Sequence, residues 1–222
     1  MTDHAQGAVM EPPVQREEGA GVYSEKLGMW VFLGSEVLFF TALIGSYIIL
    51  RFGSPESFAA PGQILNIPVT AINTFLLICS SVTMVKAFSC VHDGDQKGLK
   101  LYLVATVLMG ATFVSVQVFE YVQLAHEGFL PSGYVEGLHF AELAAAGELP
   151  ARVSVYGSTF FTMTGFHGFH VTAGVICMVY VTIKAFQGKY TQADHRGIEV
   201  LGLYWHFVDL VWILLFTIVY LM

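Results

Sequence analysis

The chain has 222 residues, of which 55% are hydrophobic and only 12% are charged. A soluble domain carries about 25% charged residues, so this composition argues against a soluble globular protein. The formal net charge of −7 is spread along the chain without a basic tract, which argues against nucleic acid as a partner. No two of the three cysteines form a CxxC pair, so the sequence indicates neither a disulfide framework nor a thiolate metal site.

The first segment, residues 1–24, is polar and contains proline, glycine and charges of both signs. It lacks the apolar core that a cleavable signal peptide requires. We expect this segment to be a flexible polar tail in front of a single membrane domain, residues 25–222.

Long apolar windows without Lys, Arg, Asp or Glu follow the tail. A membrane-spanning helix needs about 20 such residues. The sequence therefore predicts an all-α, polytopic membrane protein with five transmembrane helices, at about 27–51, 67–90, 99–125, 155–186 and 198–222. Within the long loop 126–152, the stretch LHFAELAAAGEL predicts a short surface helix.

The distribution of positive charge predicts the orientation, because Lys and Arg near helix ends collect on the cytoplasmic side. With the N-terminus inside, Arg51 and Arg152 lie outside and eight positive residues lie inside. Those eight are Arg16, Lys26, Lys86, Lys97, Lys100, Lys184, Lys189 and Arg196. We expect a cytoplasmic N-terminus and a periplasmic C-terminus.

Six ionisable side chains fall inside the predicted helices, where such groups are candidates for function. They are Glu36, Glu120, His167, His170, His206 and Asp209. A helix rises about 1.5 Å per residue, which places four of them in one layer in the inner half of the bilayer. These four are Glu36, His170, His206 and Asp209. Glu120 falls near the outer end of the third helix, apart from that layer. We expect Glu36 to lie within hydrogen-bond or salt-bridge reach of His170 or His206.

Two of these pairs have i,i+3 spacing, which places each pair on one helix face. His206 and Asp209 form either a local structural pair or a proton-handling or lipid-headgroup site. His167 and His170 share one face, so they cannot ligate a haem from both sides. A copper or zinc site requires three or four ligands. We therefore predict no metal site, and we expect both histidines to be polar contacts in a helix interface or lipid-lined interior.

Four stretches of the sequence together resemble the cytochrome c oxidase subunit III family, the third subunit of haem–copper terminal oxidases. They are LGSEVLFF (33–40), NTFLL (73–77), VYGSTFFTMTGFHGFHVTAG (155–174) and YWHFVDLVW (204–212), with QVFEY (117–121) as a weaker fifth match. The resemblance covers about residues 23–222. Mitochondrial members have seven helices, so the chain is similar to the short, five-helix bacterial form.

The resemblance implies a non-catalytic subunit in the bacterial cytoplasmic (inner) membrane, without a redox centre of its own. Its partners would be catalytic subunit I and subunit II of a proton-pumping cytochrome c oxidase, which hold the haems and copper. It implies that the chain stabilises the catalytic subunit, binds phospholipid and assists proton uptake in aerobic respiration. Glu36 is the residue linked to proton uptake and lipid contact, and His167, His170, His206 and Asp209 belong to the same interior.

Other functions stay open at this stage. A subunit III of a quinol oxidase, or a relative associated with nitric oxide reductase, has a similar sequence. A stand-alone proton-coupled transporter would use Glu36 and Asp209, although no inverted repeat is visible in the sequence. The acidic loop 126–152 either steers a basic cytochrome c or is merely solvated. Its carboxylates are Glu127, Glu136, Glu142 and Glu148.

Overall fold

A computed structural model describes residues 23–222, and the predicted tail lies outside this range except for Tyr23 and Ser24. Within it, five helices are long and apolar enough to cross a membrane, as the sequence predicts. They are α1 (Ser24–Gly53), α2 (Ile67–His92), α3 (Gln96–His126), α5 (Ser154–Phe186) and α6 (Arg196–Leu215). The predicted surface helix is confirmed as α4 (His139–Ala145). Two short strands, Phe129–Leu130 and Gly133–Tyr134, form an antiparallel hairpin before α4.

Side chains cap the starts of α2 and α3. The Asn66 side chain accepts a hydrogen bond from the Val69 amide at the start of α2. Asp95 accepts from the amides of Lys97 and Gly98 at the start of α3. Such caps satisfy amides that have no partner inside the helix. The turn between the helices needs a positive φ, which Gly94 adopts at +79°.

The last helix differs from the prediction, which continued it to residue 222. α6 ends at Leu215, and Phe216–Tyr220 form a π-helical turn. A π turn contains an extra residue, so the side chains that follow point in a different direction from those of an α-helix. Tyr220 is buried there, and its hydroxyl donates to Glu120 on α3 over 3.1 Å.

The centre of the bundle is built around Trp205 of α6. A Cβ atom added to Gly110 of α3 would lie 2.8 Å from the indole, and one added to Gly174 of α5 would lie 3.0 Å from it. Only glycine therefore lets α3 and α5 approach the ring this closely. The indole Nε1 donates to the Ser80 hydroxyl of α2 over 3.0 Å, so all four helices meet at one side chain.

Helix α1 lies at the edge of the bundle and packs against α5 and α6. At its beginning, Tyr23 and Lys26 bond to the Glu199 carboxylate of α6. At its end, Arg51 donates to the Tyr47 hydroxyl over 3.1 Å and to the carbonyl of Met222. We call the first of these ends, with the turns 93–95 and 187–195, the basic end. The opposite end, with residues 54–66 and 127–153, is the loop end.

Candidate functional site

A carboxylate and an imidazole meet between α1 and α5. The Nε2 atom of His170 lies 3.1 Å from the Oε2 atom of Glu36. The two side chains are 13% and 16% exposed. The predicted contact between Glu36 and His170 is confirmed, and neither group faces the surrounding apolar phase without a polar partner.

The backbone and neighbouring side chains fix the position of the His170 ring. Its Nδ1 atom lies 2.7 Å from the carbonyl oxygen of Phe166, one turn earlier on α5. The carbonyl of His170 itself accepts a hydrogen bond from the Tyr204 hydroxyl of α6 over 2.9 Å. The ring of Phe40 packs edge-on against the imidazole, with centroids 5.3 Å apart. The ring is therefore held by α1 and by its own helix, while α6 bonds to the backbone of the same residue.

These contacts define the chemistry of the Glu36–His170 pair. A carbonyl oxygen can only accept a hydrogen bond, so Nδ1 of His170 carries a hydrogen. The Nε2–Oε2 contact then holds one further proton, on the carboxyl group or on the ring. Either arrangement has no net charge, which is the state that hydrocarbon favours.

His167 occupies a different environment from His170. Both rings contact Phe40, as the i,i+3 spacing predicts. However, His167 is fully buried, with its ring stacked on Trp212 and the edge of Phe113 against it. Within residues 23–222, neither ring nitrogen has a hydrogen-bond partner. His167 therefore lies in a helix interface, as predicted, and among the described residues its contacts there are with aromatic rings on three sides.

His206 and Asp209 are not bonded to each other in the described part of the chain. The Nδ1 atom of His206 lies 2.9 Å from the Ser81 hydroxyl of α2. Asp209 is 7% exposed, and its Oδ1 atom has no partner among residues 23–222. The hydrogen-bonded local pair that the sequence allows is thus not formed, because Ser81 of the neighbouring helix takes the imidazole nitrogen. Neither residue is bonded to Glu36 or His170, so the predicted layer is divided between two interfaces.

Glu120 belongs to a third cluster, as its position near the far end of α3 predicts. Its Oε1 atom accepts a hydrogen bond from the Thr70 hydroxyl over 3.2 Å, and its Oε2 atom accepts from Tyr220. The carboxylate thereby joins α2, α3 and the π turn after α6. Its partners are all near the loop end, away from Glu36.

The hydrogen bonds of Trp205 and Trp212 are features of the bundle that the sequence did not predict. The Trp212 Nε1 atom donates to the Thr74 hydroxyl of α2 over 2.9 Å, and Trp205 donates to Ser80. An indole N–H inside an apolar helix needs an acceptor. The small hydroxyl residues of α2 were the available signal for these partners.

Metal binding has no candidate site in the part of the chain that the structure describes. No group of three or more His, Cys, Asp or Glu side chains is placed there to hold a metal ion.

Comparison with known proteins identifies the family. The family model described as cytochrome c oxidase subunit III matches residues 9–140 and 134–222. The chain belongs to the cytochrome c oxidase subunit III family. A multi-pass membrane protein of this family is a subunit of a haem–copper oxidase and associates with other oxidase subunits.

Relatives of this subunit III carry two kinds of name. The probable cytochrome c oxidase subunit 3 of Nocardia farcinica is 34% identical over 194 residues, which are 87% of this chain and 86% of that protein. The cytochrome c oxidase subunit 3 of Thermostichus vulcanus is 35% identical over 88% of this chain and 86% of its own length. The quinol oxidase subunit 3 of Bacillus subtilis is 31% identical over 99% of this chain and 97% of its own length.

Proposed function

We propose that this subunit III assists proton uptake by the catalytic subunit of a proton-pumping terminal oxidase, and that the Glu36–His170 pair exchanges the proton. The observation that carries the proposal is the 3.1 Å contact between Oε2 and Nε2 inside apolar helices. Placing an ionisable pair at this depth costs free energy, which favours a functional role over a purely structural one.

In the proposed exchange, the two side chains of this chain hold the proton, and groups outside the chain deliver and accept it. Within residues 23–222 the Oε1 atom of Glu36 makes no hydrogen bond, whereas Oε2 bonds to His170. A proton that arrives at Oε1 gives the pair a transient positive charge, which favours the loss of a proton to a neighbouring acceptor. Partial exposure of both side chains allows a group outside the chain to reach them. The pair then returns to its neutral state with one proton.

The proposed location is the bacterial cytoplasmic membrane, with the basic end toward the cytoplasm. The predicted excess of Lys and Arg at this end supports the orientation. Glu36 lies 12 residues after Ser24, or roughly 18 Å along α1 from the basic end. Protons would therefore reach the pair from the cytoplasmic side, and the C-terminus would be periplasmic.

Catalytic subunit I and subunit II are the proposed partners, and they would hold the haems and copper. The lipid-facing side of α1 supports contact with such a partner or with lipid, because Val31, Leu38 and Ile49 are exposed there. Phospholipid chains are proposed to lie along the groove between α1 and α5. This groove has a volume of about 150 Å³ and is lined in part by Leu43, Thr162 and Met163.

Cytochrome c is the proposed electron donor of the complex, and a quinol is the alternative that the Bacillus relative's name supports. Exposed carboxylates at the loop end, Glu136, Glu142 and Glu148, favour the approach of a basic protein. Changing Glu127 and these three residues to Gln should flatten the dependence of kcat/KM for cytochrome c on ionic strength. An unchanged dependence would show that the loop is only solvated.

Purification and one substitution test the proposed function. The tagged chain should copurify with the catalytic subunit and its haem spectrum. Glu36→Gln should assemble normally, because Gln still bonds to His170, while proton uptake in vesicles slows several-fold. Glu120→Gln is the matched control, since this carboxylate lies in a separate cluster, and it should leave proton uptake unchanged. A Glu36→Gln oxidase equal to the parent in proton uptake and turnover stability would reduce the pair to a structural contact.

A further inference from the structure

A groove opens at the bundle surface between α2 and α6, toward the basic end. Its volume is about 240 Å³. The walls are apolar, and at Gly202 the absence of a side chain deepens the groove. The apolar lining residues are Met84, Val85, Phe88, Ile198 and Leu203. We call this feature the α2–α6 groove.

The α2–α6 groove carries a hydrogen-bonding side chain toward each end. Glu199 and His206 both line it, and they are separated by seven residues, or about 10 Å along α6. The Glu199 carboxylate bonds to Lys26 and Tyr23, but each carboxylate oxygen has two lone pairs and can accept again. His206 uses Nδ1 for Ser81, and within residues 23–222 its Nε2 atom has no described hydrogen bond. The groove therefore offers polar partners at two ends of an apolar slot.

These features restrict the molecule that would fit. Drug-sized ligands occupy pockets of about 300–1,000 Å³, so the α2–α6 groove has room for a single substituted ring. His206 lies ten residues after Arg196, about 15 Å along the helix, which is deeper than a phospholipid headgroup. An acyl chain reaches this depth but has no polar atom there that could bond to Nε2 of His206. A ring with hydroxyl groups on opposite carbons can donate to the Glu199 carboxylate at one end and bond to Nε2 of His206 at the other, and with an apolar tail it is soluble in the bilayer.

We propose that the α2–α6 groove binds the ring of a membrane quinol, with one ring hydroxyl bonded to His206 and the other donating toward the Glu199 carboxylate. The site goes beyond the proposed proton uptake, because it involves neither Glu36 nor His170. Binding here transfers no electrons, and it does not depend on whether cytochrome c or a quinol reduces the oxidase.

Photolabelling of the intact oxidase in lipid nanodiscs tests the proposal. The probe is a benzoquinol with an isoprenoid tail and a photoreactive diazirine, kept reduced by excluding oxygen, and labelled peptides are mapped by mass spectrometry. Label is expected on residues 84–88 and 198–206, displaced by excess unlabelled benzoquinol with the same tail but not by a saturated fatty alcohol. Label confined to other segments, or equal displacement by the alcohol, would overturn the proposal, the latter because the groove then holds an acyl chain.

A pair of glycine variants sharpens the test. Gly202→Leu fills the α2–α6 groove, and its Cβ would meet the end of Met84 at an ordinary 3.5 Å. Gly165→Leu fills a different exposed groove on α5, where the nearest atom to a Cβ is the Tyr121 hydroxyl at 4.0 Å. Labelling of this subunit should fall at least tenfold in Gly202→Leu and persist in Gly165→Leu. Undiminished labelling of Gly202→Leu contradicts the proposal; if that variant does not assemble, displacement in the parent complex decides.

The proposal on proton uptake and the proposal on the α2–α6 groove can be contradicted independently of each other. A Glu36→Gln complex should be labelled in the α2–α6 groove as strongly as the parent, even where its proton uptake is slower. Parent-like proton uptake in Glu36→Gln leaves the labelling result standing. Lost labelling in Gly202→Leu with normal proton uptake supports the groove alone.

Discussion

Trp212 of α6 stacks on His167 of α5, with ring centroids 4.8 Å apart and an angle of 26° between the rings. Because the imidazole is fully buried and has no described hydrogen bond, its ring surface rather than its nitrogens makes the described contacts. The stack connects two helices at a point where Trp212 also bonds to Thr74 of α2. His167 therefore behaves as an aromatic core residue.

His167→Phe should keep the stability of the oxidase within about 1.5 kcal/mol, because it conserves ring volume and removes two polar atoms without partners. His167→Ala should lose about 3–5 kcal/mol, since it leaves a cavity beside Trp212. Thermal release of this subunit from the purified oxidase measures both effects. A His167→Phe variant as unstable as the alanine variant would mean that the nitrogens do bind something in the native complex.

His170→Phe should weaken assembly more than Glu36→Gln does, because it leaves the Glu36 carboxyl group without its partner in an apolar setting. Removal of one member of a buried pair costs about 3–5 kcal/mol. The double variant Glu36→Leu/His170→Phe should recover most of this loss, since no unpaired polar group is left. Subunit retention during detergent washing is the measurement. An additive double variant would show that the two side chains do not stabilise each other.

Gly110→Ala should destabilise the bundle by about 1–3 kcal/mol, because its Cβ would lie 2.8 Å from the Trp205 indole and 3.0 Å from Val175. Gly45→Ala on α1 is the matched control, with no atom within 4 Å of the new Cβ. The control should change stability by less than about 1 kcal/mol, toward the stable side. Thermal unfolding of the two purified complexes separates close packing from helix propensity. Equal behaviour of both variants would contradict the described packing.

Tyr220→Phe should destabilise the end of the last helix by about 1–3 kcal/mol, because Glu120 then loses one of its two hydrogen-bond donors. Tyr180→Phe is the control, since that tyrosine is 59% exposed on α5. Loss of its hydroxyl group should lower stability by less than about 0.5 kcal/mol. Hydrogen–deuterium exchange of residues 212–222 reports the effect directly. Unchanged exchange in Tyr220→Phe would mean that the bond does not hold the π turn.

Hydrophobic length predicted most of the fold. Apart from the last helix, each predicted helix end lies within three residues of the observed one, because apolar windows without charge are constrained by membrane thickness. The π turn at Phe216–Tyr220 was not predictable in this way, since the apolar run FTIVYLM continues without a break. Its shape depends on the partner that Tyr220 finds on α3.

Part of the candidate site could be predicted from the depth of a residue in the membrane and from the free-energy cost of an unpaired polar group at that depth. Glu36 needed a polar partner, and His170 was one of two histidines at the expected depth. The partner of His206 was not predictable, because Ser81 is one of several small hydroxyl residues on α2 and sequence does not fix how α2 and α6 align. That alignment depends on Trp205 and Trp212, whose indoles select Ser80 and Thr74.

Helix α1 packs against α5 and α6, and Glu36 and His170 are 134 residues apart in the chain. At a synthesis rate of about 5–20 residues per second, the ribosome needs roughly 7–27 s to make the segment between them. During this interval the newly inserted first helix has a carboxyl group in the bilayer and no histidine to receive it. The unpaired carboxyl group makes this helix costly to hold in the bilayer until α5 arrives. The surroundings of Glu36 are therefore completed late in synthesis, when α5 brings His170 to it.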